Sequence, residues 1–395
     1  MNDYKFIIGE KEIKEIEELA SHSKGTKILH INSTMYGGGV AEILQNLIPL
    51  ARSVGLNVSR EVIQGSEEFF NVTKSFHNAL QGMPLELTKE MIETYLHYNA
   101  LNAERINFDA DVIIAHDPQP AALINYHKPG QEKWLWRCHI DLTKPNMTYW
   151  ALLQPFVKKY VGLIFSLRKY VPYQLLQKKV YIMTPSIDPL ADKNRPIEPE
   201  FKLETLEKYS VNPDKPIITQ ISRFDPWKDP LGVMEAYKIV KTKIPEAQLL
   251  LIGSMATDDP EGAEWYNKVV EKAKNDPDIH VLTNLNDLEI NAVQRASTVI
   301  VQKSIREGFG ITVTEALWKG TPVVATKVGG IPLQVIDGTT GFLVEGIKDT
   351  AEKITMLIKR PFLGRRFGAE GKEHIRRNFL ITRHLKDYLR LQLQI

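Results

Sequence analysis

Apolar residues along the chain gather in short unbroken runs, and between the runs they fall at helical spacing. "TKILHINST", residues 26–34, is one such run, and "MYGGGVAEILQNLIPLARSVG" after it reads as a glycine turn leading into an amphipathic helix. "KPIITQISRF", residues 215–224, repeats the arrangement, with "PLGVMEAYKIVKTKI" as its helix. "VSREVI", "ADVIIAHD", "KWLWRCHI" and "GLIFSL" alternate with helical patterns in the first half; "AQLLLIG", "DIHVLTN", "TVIVQKS", "TPVVATK" and "GFLV" do so in the second. Strands that are apolar throughout need cover on both faces, which parallel sheets obtain from crossover helices. The pattern predicts an α/β fold built of two doubly wound domains.

At ~150 residues per domain, a chain of 395 residues has room for two or three, and two fits the repeated pattern. Residues 185–216 hold six prolines and many charges, as an exposed connection would. The expected division is a first domain at 1–190, a second at 191–375, and a C-terminal helix at 376–395 packing back on the first. The arginine- and lysine-rich tail from Arg360 reads as a solvated helix face, because acidic and apolar positions interrupt it. The opening "MNDYKFIIGEKEIKEIEELA" reads as a surface helix and lacks the apolar core of a signal peptide.

Composition narrows the function classes. With 43% hydrophobic and 25% charged residues the chain can build large cores. A net charge of +2 gives no general attraction for nucleic acid or an anionic membrane, so any anion site is local. No run of eighteen apolar residues is present to span a bilayer. Cys138, the one cysteine, excludes an internal disulfide and a cysteine zinc cage; in "WLWRCHI" it reads as a buried thiol. Together these features read as a cytoplasmic protein.

Ligands of open α/β sheets bind beyond the carboxyl ends of the strands, and the chemically suggestive residues follow strands. Gly37, Gly38 and Gly39 form a turn before a helix, where backbone N–H groups can approach a phosphate. Taken alone it is equally well a structural turn, and Glu42 stands where a dinucleotide fingerprint has its third glycine. In "SRFDPWKD" Arg223 and Lys228 follow a strand, and two cations on one loop suit a diphosphate; ion pairs with Asp225 and Asp229 are the plain alternative. His139 and Asp141 follow "WLWRC", and His116 and Asp117 follow "DVIIA"; each pair is read as structural or functional with equal weight, and neither has metal-ligand spacing. In "REGFGITVTEALWKG" Glu307 precedes the turn Gly308, Phe309, Gly310, and Glu315 follows with seven residues between the two glutamates. A desolvated carboxylate needs hydrogen-bond donors, which either the protein or sugar hydroxyls provide.

Several long stretches resemble one family. "NSTMYGGGVAEIL", "FFNVTKSFHNALQG", "HDPQPAALI", "WLWRCHIDL", "SIDPL", "ITQISRFDPWK" and "SIREGFGITVTEALWKG" resemble the retaining GT-B glycosyltransferases of family 4, and within them the trehalose synthases of the glycosyltransferring type. The resemblance implies a GT-B fold, two Rossmann-like domains facing across a cleft, with the acceptor on the first and the nucleotide-sugar donor on the second. It implies transfer of glucose from ADP-glucose or UDP-glucose to free glucose, giving trehalose, and running in both directions. Position by position, it makes Arg223 and Lys228 the diphosphate ligands and Glu315 the ribose ligand. Glu307 then contacts the donor glucose, with Gly308, Phe309 and Gly310 beside it. His139 lies next to the donor sugar, and Gly38 with Gly39 closes over the phosphate. The acceptor has no short motif of its own, and His116, Asp117 and Asp141 at the strand ends are the candidates for it. Asp229 departs from the small residue expected after Lys228. With Arg223, Lys228 and helix N-termini to stabilise the diphosphate and no DxD-type metal motif in a suitable place, no cofactor or metal is expected to be required and magnesium is at most stimulatory; the resemblance implies a homodimer.

Other readings share some of these residues. A trehalose phosphorylase would use glucose 1-phosphate, and a related family 4 hexosyltransferase another acceptor. A dinucleotide-dependent oxidoreductase would use the glycine turn with Glu61, against which Glu42 argues. A nucleotide-sugar-binding regulator would keep Arg223 and Lys228 without turnover.

Overall fold

The computed structural model describes residues 1–36, 38–128, 130–253 and 260–395. The chain folds into two compact units, Met1–Ser186 with Ile381–Ile395, and Ile187–Leu380. In the first, strands β1 (Lys27–Asn32), β2 (Asn57–Val62), β3 (Val112–His116), β4 (Lys133–Cys138), β5 (Gly162–Phe165) and β6 (Lys179–Ile182) form a parallel sheet in the order β2-β1-β3-β4-β5-β6. In the second, β7 (Ile217–Ile221), β8 (Gln248–Gly253), β9 (Ile279–Thr283), β10 (Val299–Gln302), β11 (Val323–Thr326) and β12 (Gly341–Val344) form another, in the order β12-β11-β10-β7-β8-β9. Both are doubly wound sheets, as the apolar runs predict. The strand order reverses between β1 and β3 in the first unit and between β7 and β10 in the second. At such a reversal the outgoing loops diverge to opposite faces and leave room for a ligand.

The apolar runs supply the cores. β3, β8 and β10 are buried along their whole length. Aromatic residues fill the first unit, where Phe76 stacks on Tyr95 at 4.5 Å between ring centres and Trp136 and Trp150 are buried nearby. Side-chain caps start its helices: Ser66 accepts from Phe69 N, Thr88 from Met91 N, and Asn146 from Thr148 N. Cys138 lies in the same core, where burial pushes its thiol up. Among the described residues, no helix is long and apolar enough to cross a membrane.

Three local expectations change. The N-terminal helix is two helices, Asn2–Ile8 and Glu10–Ser21, because Gly9 takes φ 87° between them. The proline-rich stretch after residue 185 is more than a connection. It contains a helix, Pro199–Lys208, and its Asp192 and Arg195 carbonyls each accept from Asn291 Nδ2 at 2.8 Å. The tail's last helix, Ile381–Gln392, is solvated only on its outer side. Its inner side buries His384, Leu385, Tyr388 and Leu389 in the first unit, and Lys386 pairs with Glu15 at 3.1 Å.

One close approach is directly testable. In the helix Pro361–Asn378, a Cβ added to Gly368 would lie 1.9 Å from the Gly320 carbonyl oxygen, whereas one added to Gly364 would meet only Pro322 Cγ at 3.6 Å. Gly368→Ala should therefore destabilise the protein by about 1–3 kcal/mol. Gly364→Ala should be neutral or stabilise it by about 0.4–1 kcal/mol, because alanine restricts the unfolded chain. Chemical denaturation of both variants checks the pair, and equal midpoints would contradict this packing.

Candidate active site

In the second unit the site grows from two neighbouring strands. β7 pairs with β10, so the loops that leave them emerge side by side. After β7, Asp225 accepts from Lys228 N at 3.0 Å and caps the turn Pro226–Lys228, and buried Gln220 donates to the Lys228 carbonyl at 2.7 Å. Asp229 follows with φ 48° and caps the helix Pro230–Lys241 by accepting from Gly232 N at 3.0 Å. Its carboxylate also pairs with Lys303, which gives the unexpected aspartate a structural task. The two loops are joined where the Trp227 carbonyl accepts from Ile305 N at 2.7 Å.

That junction sets Lys228 against Glu307. Lys228 Nζ lies 2.6 Å from Glu307 Oε2, which also accepts from Ser304 Oγ at 3.2 Å and Gln302 Nε2 at 3.3 Å. Arg223 NH2 lies 3.0 Å from Asp225 Oδ2, with the arginine side chain 63% exposed. Both cations therefore face protein carboxylates, and mutual repulsion in the loop is no argument for an anion. Only Arg223 follows the plain ion-pair reading; Lys228 reaches across to the second loop instead. Backbone and side chain alike hold the lysine in this position.

The turn after Glu307 needs glycine in two places. Gly310 has φ 82° and precedes the helix Ile311–Trp318. Gly329, with φ 55°, brings the chain after β11 so near that an added Cβ would lie 1.9 Å from the Glu307 carbonyl oxygen. Next to it, Gly330 N donates to the Gly308 carbonyl at 2.9 Å. Phe309 between the glycines is buried and meets Phe379 at 5.7 Å between ring centres. Glu315, buried on the helix, accepts from Gln294 Nε2 at 3.3 Å and has Lys193 Nζ 3.9 Å away. A recess of about 250 Å³ above the ends of β7 and β8 is lined by Lys193, Arg223, Asn284, Asp287, Thr312 and Glu315, among others. Lys193 belongs to the stretch taken as a connection, and nothing in its local sequence marks it. Its role comes from the packing of that stretch against the helix Asp287–Ala296.

The first unit has its own group of polar residues at the strand ends. Gly38 has φ 80° and precedes the helix Gly39–Ser53; both glycines are exposed, and Gly37 lies outside the described residues. Asp117, with φ 65°, accepts from His139 N at 2.7 Å through Oδ1, while its carbonyl accepts from Trp136 Nε1 at 2.9 Å. Burial pushes the Asp117 carboxyl up to about 7, opposed by the His139 N–H and by Arg137. His116 Nδ1 is 3.0 Å from His139 Nε2, and His116 Nε2 is 2.9 Å from His30 Nδ1. Burial, then Arg137 and His30, hold His139 well below the usual imidazole range. Asp141 closes a local turn, accepting from Thr143 N at 2.8 Å and Thr143 Oγ1 at 2.6 Å. The residues expected to meet an acceptor thus separate: His116 and Asp117 stand behind His139, and Asp141 serves its own loop. Sequence reading did not find His30; the available signal was a histidine near the end of the first strand, as on the third.

Comparison with known proteins places this geometry in a family. Two family models match, "Trehalose synthase, N-terminal domain" over residues 30–172 and "Glycosyl transferases group 1" over residues 201–374. A trehalose synthase from Pyrococcus horikoshii is 52% identical over 98% of this chain and 95% of its own. A trehalose phosphorylase from Pleurotus pulmonarius is 29% identical over 87% of this chain and 54% of its own. Among solved structures, a sucrose-phosphate synthase from Thermosynechococcus elongatus shares the fold, with TM-score 0.72 at 18% identity over 93% of this chain and 98% of that one. With identity above one half to a full-length relative and two parallel open sheets, this chain belongs to the trehalose synthase family and is a glycosyltransferase of the GT-B type.

Proposed function

We propose that the protein transfers the glucosyl group of a nucleoside diphosphate glucose, ADP-glucose or UDP-glucose, to free glucose, giving trehalose and the nucleoside diphosphate. The observation that carries this reading is the recess holding Arg223 and Glu315 at the strand reversal, with Lys228 and Glu307 on the adjoining loops. A ribose needs an acceptor-only carboxylate and a diphosphate needs cations, and these are the residue types that stand there. The 52% identity to a trehalose synthase supports the sugar product. Phosphorolysis is less well supported, because the phosphorylase relative is 29% identical and this chain spans about half of it.

On this reading each residue answers a particular charge. Cleavage of the glucose–phosphate bond leaves negative charge on the diphosphate and oxocarbenium-like positive charge on the sugar. Arg223 and Lys228 stabilise the first. Glu307 then bonds the sugar hydroxyls, and Lys228 exchanges its carboxylate partner for phosphate. The acceptor hydroxyl attacks from the face the phosphate leaves, and its proton passes to a phosphate oxygen. Charge, atoms and configuration balance in this step, and because two cations already face the diphosphate, added magnesium is expected at most to stimulate. The same reading takes the protein as cytoplasmic and, by its family, as a homodimer.

Of ADP-, UDP- and GDP-glucose and glucose 1-phosphate, each supplied in turn with glucose, ADP-glucose or UDP-glucose should give trehalose with one nucleoside diphosphate released per product; trehalose formed from glucose 1-phosphate and from none of the nucleotide sugars would overturn the reading. Arg223→Ala removes a charge-assisted hydrogen bond of about 1.5–3 kcal/mol, so calorimetry should record roughly tenfold to hundredfold weaker binding of the nucleoside diphosphate. The two glutamates should fail differently. Glu315→Gln should chiefly raise the donor KM, since ribose is bound alike in ground and transition states. Glu307→Gln should chiefly lower kcat, since its partner is the sugar that gains charge. Steady-state kinetics of both variants decide the point, and matching changes in both parameters would refute the division.

A further inference from the structure

We propose that His116 and His30 are positioning residues for the transfer: through two successive ring-to-ring hydrogen bonds they hold His139 as a neutral ring whose remaining nitrogen, Nδ1, bears the proton. The proposal rests on the reading that His139 lies beside the donor sugar. Its physical basis is the chain itself, His30 Nδ1 to His116 Nε2 at 2.9 Å and His116 Nδ1 to His139 Nε2 at 3.0 Å. A neutral imidazole has one N–H and one lone pair, so each contact must place a donor against an acceptor.

With three neutral rings only two arrangements satisfy both contacts. In one, all three protons sit on Nδ1, and His139 offers an N–H at its other nitrogen. In the other, all three sit on Nε2, and His139 Nδ1 offers a lone pair. The two ends of the chain therefore always have opposite roles. Neutrality follows from the surroundings: His30 and His116 are buried, and burial keeps all three rings below the usual range.

The charges around the chain choose between the arrangements. Arg137, fully buried on β4, is the register partner of His116, the middle ring, and acts on all three. Arg60 on β2 is the register partner of His30 on β1, whereas β3 separates β1 from β4 and the His139 that follows it. Its guanidinium is fixed by Asn32 Oδ1 at 2.8 Å and the Thr34 carbonyl at 2.5 Å. A fixed positive charge at the His30 end favours the lone pair there and drives the protons toward His139. The remaining groups are accounted for. Asp117 holds the His139 backbone N–H, Tyr388 meets His30 edge-on at 5.6 Å, and His384 stacks on Tyr388 and bonds Ser186 Oγ at 2.8 Å. Arg383 on the same helix is paired with Asp387. Chemically, a neutral N–H can hold a sugar hydroxyl without adding positive charge beside a ring that is gaining it, which an imidazolium cannot.

The test has two arms on the full-length protein. With histidines labelled by 15N, long-range correlation spectra of the unliganded protein at pH 7 should show His139, His116 and His30 as neutral Nδ1–H tautomers. A charged His139, or His139 protonated on Nε2, would overturn the proposal, and this arm needs no turnover. It therefore stands apart from any failure of the transfer reading, which would show as absence of trehalose in the parent protein. In the kinetic arm, His139→Ala should lower kcat roughly hundredfold, the scale of one donor at a developing charge. His116→Asn should lower kcat by about tenfold or more while the donor KM stays within about twofold. The double variant should be no slower than His139→Ala, because His116 acts through His139. Losses that multiply in the double variant would instead assign His116 a separate, structural role.

Discussion

The ion pair between Lys228 and Glu307 depends on one feature of topology, the parallel pairing of β7 with β10. The two residues are 79 apart in the chain, and they meet because these strands are neighbours at the reversal of strand order. Everything around the pair is arranged to fix it. Gln220 and Asp225 hold the lysine's backbone, Gln302 and Ser304 share the glutamate's oxygen, and Gly329 lets the next loop approach the Glu307 carbonyl. A pair this desolvated is costly to break by removing one partner. It is much less costly to exchange one anion for another, which is what an arriving diphosphate would bring.

The first unit solves a related problem with neutral groups. Of three imidazoles toward the ends of β1, β3 and β4, His30 and His116 are buried and His139 is partly so, and Arg60 and Arg137 nearby oppose a positive charge on the cluster. Hydrogen bonding between the rings satisfies them without charge and makes their tautomers interdependent. On the proposed reading, the ion pair meets negative charge on the leaving group, and the histidines offer a donor that leaves a cationic sugar undisturbed.

Much of the architecture was legible in the chain because parallel strands buried on both faces leave continuous apolar runs. β6 was not, since "KVYI" is short and polar at its start and only its place at the sheet edge makes it a strand. Arg223, Lys228, Glu307 and Glu315 stood out because each lies in a loop or helix directly after a strand. Their partners did not stand out. Lys193 sits in a proline-rich stretch that resembles a linker until the helix Asp287–Ala296 binds its carbonyls, and Lys303 is one lysine among many until Asp229 faces it. His30 reads as an ordinary strand residue; only the order β1-β3-β4 lines it up with His116 and His139. Contacts set by strand order are nonlocal, and spacing along the sequence holds no record of them.

The claim on which this account turns is that Glu307 holds Lys228 for the diphosphate and competes with it. Isothermal titration of ADP and UDP into Glu307→Gln, beside the parent protein, measures that competition directly. Glutamine keeps the shape of the side chain and removes its charge, so Lys228 is released while the loop stays in place. The account predicts tighter binding of the nucleoside diphosphate to the variant, with the gain lost when Lys228 is also replaced by alanine. Equal or weaker binding to Glu307→Gln, with the fold intact, would contradict it.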